Sequence, residues 1–412
     1  MMPKVSVVIP VYKVEKYLPA CLDSVLSQSL QDIEVICIDD ASPDRCPEML
    51  DEYTALDARV RVLHLPENHQ QGYGRNRGTE MARGKYVYFL DSDDMITPEA
   101  MEELYTVAEK DNLDCVYFDS QVIFANKELE IKNATYITGR KGQYDNRVYS
   151  GQELFELFRE QNDWNCYVQR TFWRKDFLWD NKVFSPEHIE HEDEFFSFKG
   201  VLLAQRVRYI PKNYFIRRYR EDSVMTRPEH PRDFHGYFVS FCSMVDFVEK
   251  MKIESKAANA EILHMYERMD RFFPLFSANE DPRKWFRTEE QLRIYYYYAY
   301  AKRMGHSYFK NFINKLSVPI PIERHIWIYG AGIVGKRVYE VMVVNGYVVD
   351  GFLVTNKEGN PRVLFGREVF QVDEISPSDN RVAVVAVTGK ARSEMQETLK
   401  RLGWNYSVYI TG

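Results

Sequence analysis

Three acids, Asp91, Asp93 and Asp94, close the stretch Gly84-Lys85-Tyr86-Val87-Tyr88-Phe89-Leu90-Asp91-Ser92-Asp93-Asp94. Its first part, bounded by Gly84 and rich in aromatic and β-branched residues, predicts a strand buried in a parallel sheet. A packed core does not take that density of negative charge, because every unpaired carboxylate is costly to bury. The acids therefore belong at the strand's carboxyl end, in solvent or around a cation. Asp-x-Asp offers hard oxygen ligands from both sides of a short turn. Mg²⁺ or Mn²⁺ held this way keeps its other positions for water and substrate phosphates, so the pattern predicts a metal and nucleotide site.

The elements that must position these acids are legible upstream. Val5–Val11 is an apolar strand interrupted by Pro10, with Tyr12 at its end, and Leu18, Leu22, Val25 and Leu26 then recur at helical spacing. A second strand, Ile33–Ile38, runs into Asp39-Asp40-Ala41-Ser42-Pro43-Asp44. A helix through Met49, Leu50 and Tyr53 leads to a third strand, Val60–Leu65. The segment His69–Gly78 reads as a polar, glycine-bearing turn before a short helix to Ala82. Strands alternating with helices imply a parallel, doubly wound sheet. Tyr12, Asp40, and Asp91 with Asp93 all fall at carboxyl ends of strands, the edge where open α/β sheets bind ligands. Asp40 can accept from the imide N–H of a uracil or the amino group of another base. Tyr12 can stack on that base, and Arg75 and Arg77 offer planar forks suited to diphosphate oxygens. Core packing of the tyrosine and a capped turn at Asp39–Asp44 are the competing readings.

Four segments carry a family resemblance: Val5-Ser6-Val7-Val8-Ile9-Pro10-Val11-Tyr12, Ile38-Asp39-Asp40-Ala41-Ser42-Pro43-Asp44, Gly74-Arg75-Asn76-Arg77-Gly78 and Phe89-Leu90-Asp91-Ser92-Asp93-Asp94. In order and spacing they resemble the family 2 glycosyltransferases over about residues 3–125. The resemblance implies the GT-A fold and an inverting reaction. It implies that Asp40 reads the base, that Asp91 contacts the nucleotide, and that Asp93, with Asp91, binds the Mn²⁺ or Mg²⁺ bridging the diphosphate. Pro10, Tyr12, Arg75 and Ser92 are assigned to the same nucleotide site. Lys13 departs from the pattern, standing where many members have Asn.

Inversion at a sugar carbon needs a group that removes the acceptor hydroxyl's proton, and a positioned carboxylate can do so. The candidate segment is Phe184–Phe196, where acids precede an apolar helical pattern. The family carries a Glu-Asp pair here, which implies Asp193 as general base with Glu192 beside it. Glu187 and Glu190 read as acids complementing a helix dipole. A zinc site of His188, His191 and Glu192 lacks a distant fourth ligand. Further on, Tyr214–Val224 resembles the family's Tyr-Arg-x-Arg-x-x-Ser segment, with Arg218, Arg220 and Ser223 in register. Two arginines beside a leaving diphosphate would stabilise its developing charge; ion pairing with Glu221 and Asp222 is the alternative.

Phe234, Phe238, Phe241, Met244, Val245 and Val248 form one helical stripe within 233–315, and Ile262, Met265, Met269 and Phe272 a second. In Leu292–Arg303 tyrosine surrounds the whole helix, which suits packing between domains or, as the alternative, contact with a membrane surface holding a lipid-linked acceptor. After Pro319 and Pro321, Gly330-Ala331-Gly332-Ile333-Val334-Gly335 follows a strand and opens a helix, the context of a dinucleotide-binding turn. Gly330, Gly332 and Gly335 thus mark a candidate second nucleotide site, with Asp350 near the distance of a ribose-binding acid. Against it, Asp350 falls in mid-strand and only half of a full dinucleotide fold remains. The segment resembles small Rossmann-like domains attached to bacterial sugar-modifying enzymes.

At 412 residues with 45% apolar and 28% charged content the chain has room for two or three soluble domains. A net charge of −7 gives no general attraction to nucleic acid. Six scattered cysteines without a C-x-x-C pair fit reduced thiols in the cytoplasm, and the immediate entry into a strand argues against a signal peptide. The expected organisation is an α/β GT-A transferase domain over 1–228, a helical region over 229–318 and a small Rossmann-like domain over 319–412. The expected function is metal-dependent, inverting transfer from a nucleoside-diphosphate sugar, a UDP-sugar by preference, to a surface polysaccharide or lipid-linked glycan at the inner face of the membrane. Homo-oligomerisation is a further candidate. The rivals are an NAD-linked oxidoreductase and a nucleotide-binding assembly protein with a silent transferase domain.

Overall fold

The computed structural model describes residues 2–132, 139–221, 226–304, 324–344, 347–387 and 390–408. It divides into two compact units, Met1–Phe276 and Ser277–Gly412. The first unit opens with β1 (Val5–Val11), α1 (Leu18–Leu26), β2 (Ile33–Asp39), α2 (Cys46–Leu56), β3 (Val60–His64), α3 (Gln70–Met81) and β4 (Tyr86–Phe89). It continues through β5 (Met95–Ile96), α4 (Ala100–Lys110), β6 (Cys115–Phe124), α5 (Lys127–Lys132), α6 (Gly151–Glu160), β7 (Thr171–Arg174) and α7 (Lys175–Asp180). The helices α8 (Glu192–Leu203), α9 (Pro231–Met251) and α10 (Lys256–Asn279) flank β8 (Val207–Tyr219).

One eight-stranded sheet runs in the order β3-β2-β1-β4-β7-β6-β8-β5. Its first four strands are parallel, and every residue of β1, β2 and β4 is buried, as their unbroken apolar runs require. β1 continues through Pro10 where the sequence suggests an interruption. Pairing with β4 ends at Val8↔Phe89, so the missing N–H falls where one neighbouring strand has already stopped. The short β5 pairs antiparallel with β8 in the register Met95↔Ile216, which carries the chain after Asp93 back alongside Arg218.

The larger correction concerns α3. His69–Gly78 is not a turn before a short helix: helix begins at Gln70 and runs to Met81. Glycine in a helix interior costs about 1 kcal/mol relative to alanine, and here close packing requires it. A Cβ at Gly78 would lie 2.2 Å from Val8 Cγ1, and one at Gly72 would lie 2.3 Å from the Pro186 carbonyl oxygen. The glycines let α3 lie directly on β1 and bring Arg75, Asn76 and Thr79 under cover. Gly78→Ala is therefore expected to destabilise the protein by about 1–3 kcal/mol in urea unfolding, since overpacking against a central strand has no cheap relief. An unchanged midpoint would show that α3 can rise off the sheet freely.

Phe234 of α9 packs beside Phe238 and meets Phe273 and Phe276 of α10, with Phe234 and Phe276 rings 4.7 Å apart. The sequence stripes are core as expected at Phe234, Phe238, Met244, Met265 and Met269, while Phe241, Val245, Val248, Ile262 and Phe272 are half-buried at its margin.

The second unit comprises α11 (Glu289–Met304), β9 (His325–Tyr329), α12 (Ile333–Val344), β10 (Val348–Val354), β11 (Val363–Leu364), β12 (Arg367–Gln371), β13 (Arg381–Val385), α13 (Lys390–Leu402) and β14 (Asn405–Val408). Its sheet order is β11-β12-β10-β9-β13-β14, parallel except at β11. Gly330 has φ +123°, and a Cβ at Gly335 would lie 1.7 Å from the Gly330 carbonyl oxygen, so both glycines serve the tight strand-to-helix turn. A Cβ at Gly332 would meet nothing within 4 Å. Asp350 bonds His325 Nδ1 at 3.0 Å, at the amino end of β9, whereas Gly330 follows the carboxyl end. Asp350 is therefore not placed to read a ribose at the glycine turn. Tyr295 and Tyr296 are buried, Tyr295 against Phe286 and Tyr296 against Tyr339 and Phe365.

Candidate active site

The carboxyl ends of β1, β2 and β4 form one edge, and α3 runs beneath it. Asp40 follows β2 and is 4% exposed. Its two oxygens accept from the main-chain N–H groups of His69 and Gln70, each at 2.7 Å, so it holds the start of α3. Burial pushes its carboxyl upward and these two bonds oppose the shift. Each oxygen keeps a second lone pair, enough to accept from a base. Tyr12, at the end of β1, is 46% exposed, as a stacking platform must be. Lys13, Ala41, Gln70, His188 and His191 all carry positive φ, a concentration of strained backbone at a single edge.

One turn and a half into α3, Arg75 is 2% exposed. One arm of its guanidinium donates to Asp91 Oδ1 at 2.9 Å and to Gln71, and the other bonds Glu192 at the start of α8. Arg75 thereby ties the acids after β4 to the acids that open α8. Its fork, read from the sequence as suited to diphosphate, is filled by two carboxylates. Arg77 pairs with Glu80 and Glu187 instead and meets neither acid group.

Asp91 also accepts from Gln169 Nε2 at 2.5 Å. Ser92, beside it, is buried. Asp93 Oδ2 accepts from Arg220 Nε at 2.7 Å, and its carbonyl accepts from Arg218 Nε at 3.0 Å. Asp94 Oδ1 takes the main-chain N–H of Arg218 at 2.6 Å. Burial and then the charge of Asp91 hold the Asp93 carboxyl above its usual range, and burial with Asp93 and Asp91 does the same to Asp94 more strongly. The three acids thus lie within one buried group, met by Arg75, Arg218 and Arg220.

Asp193 lies in the first turn of α8 and accepts from the Cys166 thiol at 3.5 Å. Burial, then Glu194, raises its carboxyl, while His191 and Arg75 pull the other way. The approach to α8 is clamped twice. Asn76 exchanges two 2.9 Å bonds with the main chain of Ser185. His191 bonds Asp233 at 3.0 Å and stacks on Tyr237 with centroids 4.0 Å apart. Burial works against a charged His191, yet the bond to Asp233 and the charge of Asp193 outweigh it and raise its pKa. The zinc grouping considered from sequence does not assemble. His191 lies with Glu190 and Asp233 under Arg227, Glu192 is on Arg75, and His188 packs near His69 and Tyr73. Gln169 and Cys166 carry no motif signal, and only the folded chain brings them to the site.

Residues 6–175 match the family model for glycosyl transferase family 2. Among curated relatives, the chain is 32% identical over 234 residues to an uncharacterized glycosyltransferase, EpsJ, of Bacillus subtilis, covering 56% of this chain and 65% of that protein. It is 27% identical over 295 residues to a poly(ribitol-phosphate) beta-glucosyltransferase of Bacillus spizizenii, covering 69% of this chain and 44% of that one. The chain thus spans less than two thirds of the length of these relatives. Among solved structures, residues 1–349 of S. aureus TarS in complex with UDP-GlcNAc superpose with a TM-score of 0.50 at 21% identity, covering 70% of this chain and 77% of that one, a likeness of fold that agrees with GT-A.

Proposed function

We propose that this chain, whose residues 6–175 match the family model for glycosyl transferase family 2, moves a sugar from a nucleoside-diphosphate sugar, specifically a UDP-sugar, to a hydroxyl of a surface polysaccharide or lipid-linked glycan, with inversion at the sugar carbon. The observation that carries the reading is the Arg75 bridge, which gathers Asp91 and Glu192, and hence Asp193, around one buried guanidinium. Curated relatives that act on polyol-phosphate polymers, such as the poly(ribitol-phosphate) beta-glucosyltransferase, support an anionic cell-surface polymer as the acceptor class.

In this reading Tyr12 and Asp40 hold the base, and Pro10 and Ser92 shape the floor of the nucleotide site. Asp193 takes the proton of the acceptor hydroxyl as its oxygen attacks the anomeric carbon. The bond from that carbon to the phosphate oxygen breaks, and the nucleoside diphosphate leaves with the electron pair. Arg218 and Arg220 stand where that charge develops. Holding donor and acceptor in one cleft removes much of the entropic barrier.

The residues present fit a hard divalent ion. Asp91, Asp93 and Asp94 supply hard oxygen donors close together, and the Arg220 guanidinium already stands as a cation on Asp93. Asp93 would hold Mg²⁺ or Mn²⁺, with Asp91 beside it under the grip of Arg75 and Gln169. When bound, such an ion supplies charge neutralisation to the departing diphosphate. No helix among the described residues is long and apolar enough to cross a membrane; in this reading a lipid-linked acceptor is met at the inner face of the membrane.

A thermal-shift series of UDP-, GDP- and CDP-sugars, with and without Mn²⁺, tests the reading. A UDP-sugar should raise Tm only with the ion, and the anomeric configuration of the product, read by NMR, should be opposite to the donor's. Stabilisation by none of these donors, or a retained configuration, would overturn it.

A further inference from the structure

Arg220 sits on Asp93 with its Nε 2.7 Å from Oδ2, and both side chains are largely withdrawn from solvent, at 15% and 19% exposed. Its guanidinium lies 5.2 Å from the centre of the Tyr17 ring, as does that of Arg218. Arg218 is fixed in another way. Its main-chain N–H bonds the Asp94 carboxylate and its Nε bonds the Asp93 carbonyl, so its side chain leaves the Asp93 carboxylate alone. Of the two arginines, Arg220 is the one whose charge meets the acid that would hold the ion.

A divalent ion and a guanidinium compete for one carboxylate. They repel at a few Å, and little water is present to screen them. We propose that Arg220 is the resident counter-ion of Asp93: it leaves the carboxylate when a divalent cation enters and turns, along the face of Tyr17, to the diphosphate that arrives with the donor. The inference rests on the donor and cation reading above and adds a consequence of its own. Arg220 opposes binding of the ion alone and favours binding of the nucleoside diphosphate once the ion is seated, so the site takes ion and donor together. A bare DxD turn without such an arginine would fill with metal first. Linkage requires the effect to be reciprocal, the diphosphate strengthening the ion's hold as the ion strengthens the diphosphate's.

The test is Arg220→Gln in the full chain, with Mn²⁺ alone titrated by calorimetry and by the loss of its free electron paramagnetic signal. UDP is then titrated at saturating Mn²⁺. Mn²⁺ should bind about tenfold tighter than to the wild type, and UDP about tenfold weaker, two changes of opposite sign. Arg220→Lys, which keeps the charge, should bind Mn²⁺ nearly as weakly as the wild type. Asp93→Asn combined with Arg220→Gln should erase the gain. Unchanged or weaker Mn²⁺ binding by an Arg220→Gln protein that melts like the wild type would overturn the proposal. Tighter Mn²⁺ binding with no affinity for UDP or any other nucleoside diphosphate would leave the counter-ion role standing and sink the nucleotide-sugar reading instead.

Discussion

Asp193→Asn is expected to lower kcat by roughly a hundredfold to ten-thousandfold, the usual worth of a general base, while donor affinity stays where it was. The separation follows from position. Asp193 meets Cys166 and the charges of Glu194, His191 and Arg75, whereas the proposed nucleotide contacts belong to Tyr12, Asp40 and the residues after β4. The amide keeps the shape and the neighbour but cannot take a proton. Because burial and Glu194 hold the Asp193 carboxyl above its ordinary value, the base form fails at a higher pH than a free aspartate would. The wild-type kcat/KM should therefore fall on the acid side within reach of measurement, and the small residual rate of the variant should lack that limb. Stopped assays across pH with product quantified by chromatography read both effects. A variant that transfers sugar at the wild-type rate would remove Asp193 from the chemistry.

What the chain announces and what it conceals divide along a physical line. Strand ends carrying acids are legible, because an apolar run that stops in carboxylates has only one stable place to put them, and Asp40, Asp91 and Asp93 lie at that edge as read. The α8 start is legible for the same reason, since Glu192 and Asp193 stand directly before apolar helical spacing. α3 is concealed because its glycines argue against helix locally, and the reason for them is the contact with Val8 and Pro186, residues far away in sequence. The role of Arg75 is concealed for a related reason. A lone arginine at an expected ligand edge invites a phosphate, and nothing local says that Glu192, 117 residues onward, fills its fork. Gln169 and Cys166 have chemistry too ordinary to stand out. In the second unit, the interval from Gly330 to Asp350 suits a ribose-binding pair, but the strand register puts the acid at the wrong end of the sheet, beside His325.

The Arg75 bridge makes the second large effect. Arg75→Met keeps much of the volume and removes the charge, leaving Glu192, 7% exposed, and Asp91 without their shared cation. Breaking a buried pair by deleting one partner costs about 3–5 kcal/mol, so the variant should melt well below the wild type and lose transfer with it. The sign of the pH dependence distinguishes this cause from simple loss of packing. Burial already raises the Glu192 carboxyl, with Arg75 opposing it, and removal of Arg75 raises it further. A carboxyl whose folded pKa exceeds its unfolded one makes the folded state bind the extra proton between the two values. Stability then falls as pH rises through that window. The deficit of Arg75→Met should accordingly be small at about pH 5 and large at about pH 8, read as the difference in Tm from the wild type. Adding Glu192→Gln should restore most of the lost stability and flatten that slope, because the stranded charge is gone. It should not restore transfer, since Asp91 still lacks its cation and α8 is no longer tied to the end of β4. If the single and double variants melt alike at both pH values, Arg75 is a packing residue and the bridge does not hold the two halves of the site together.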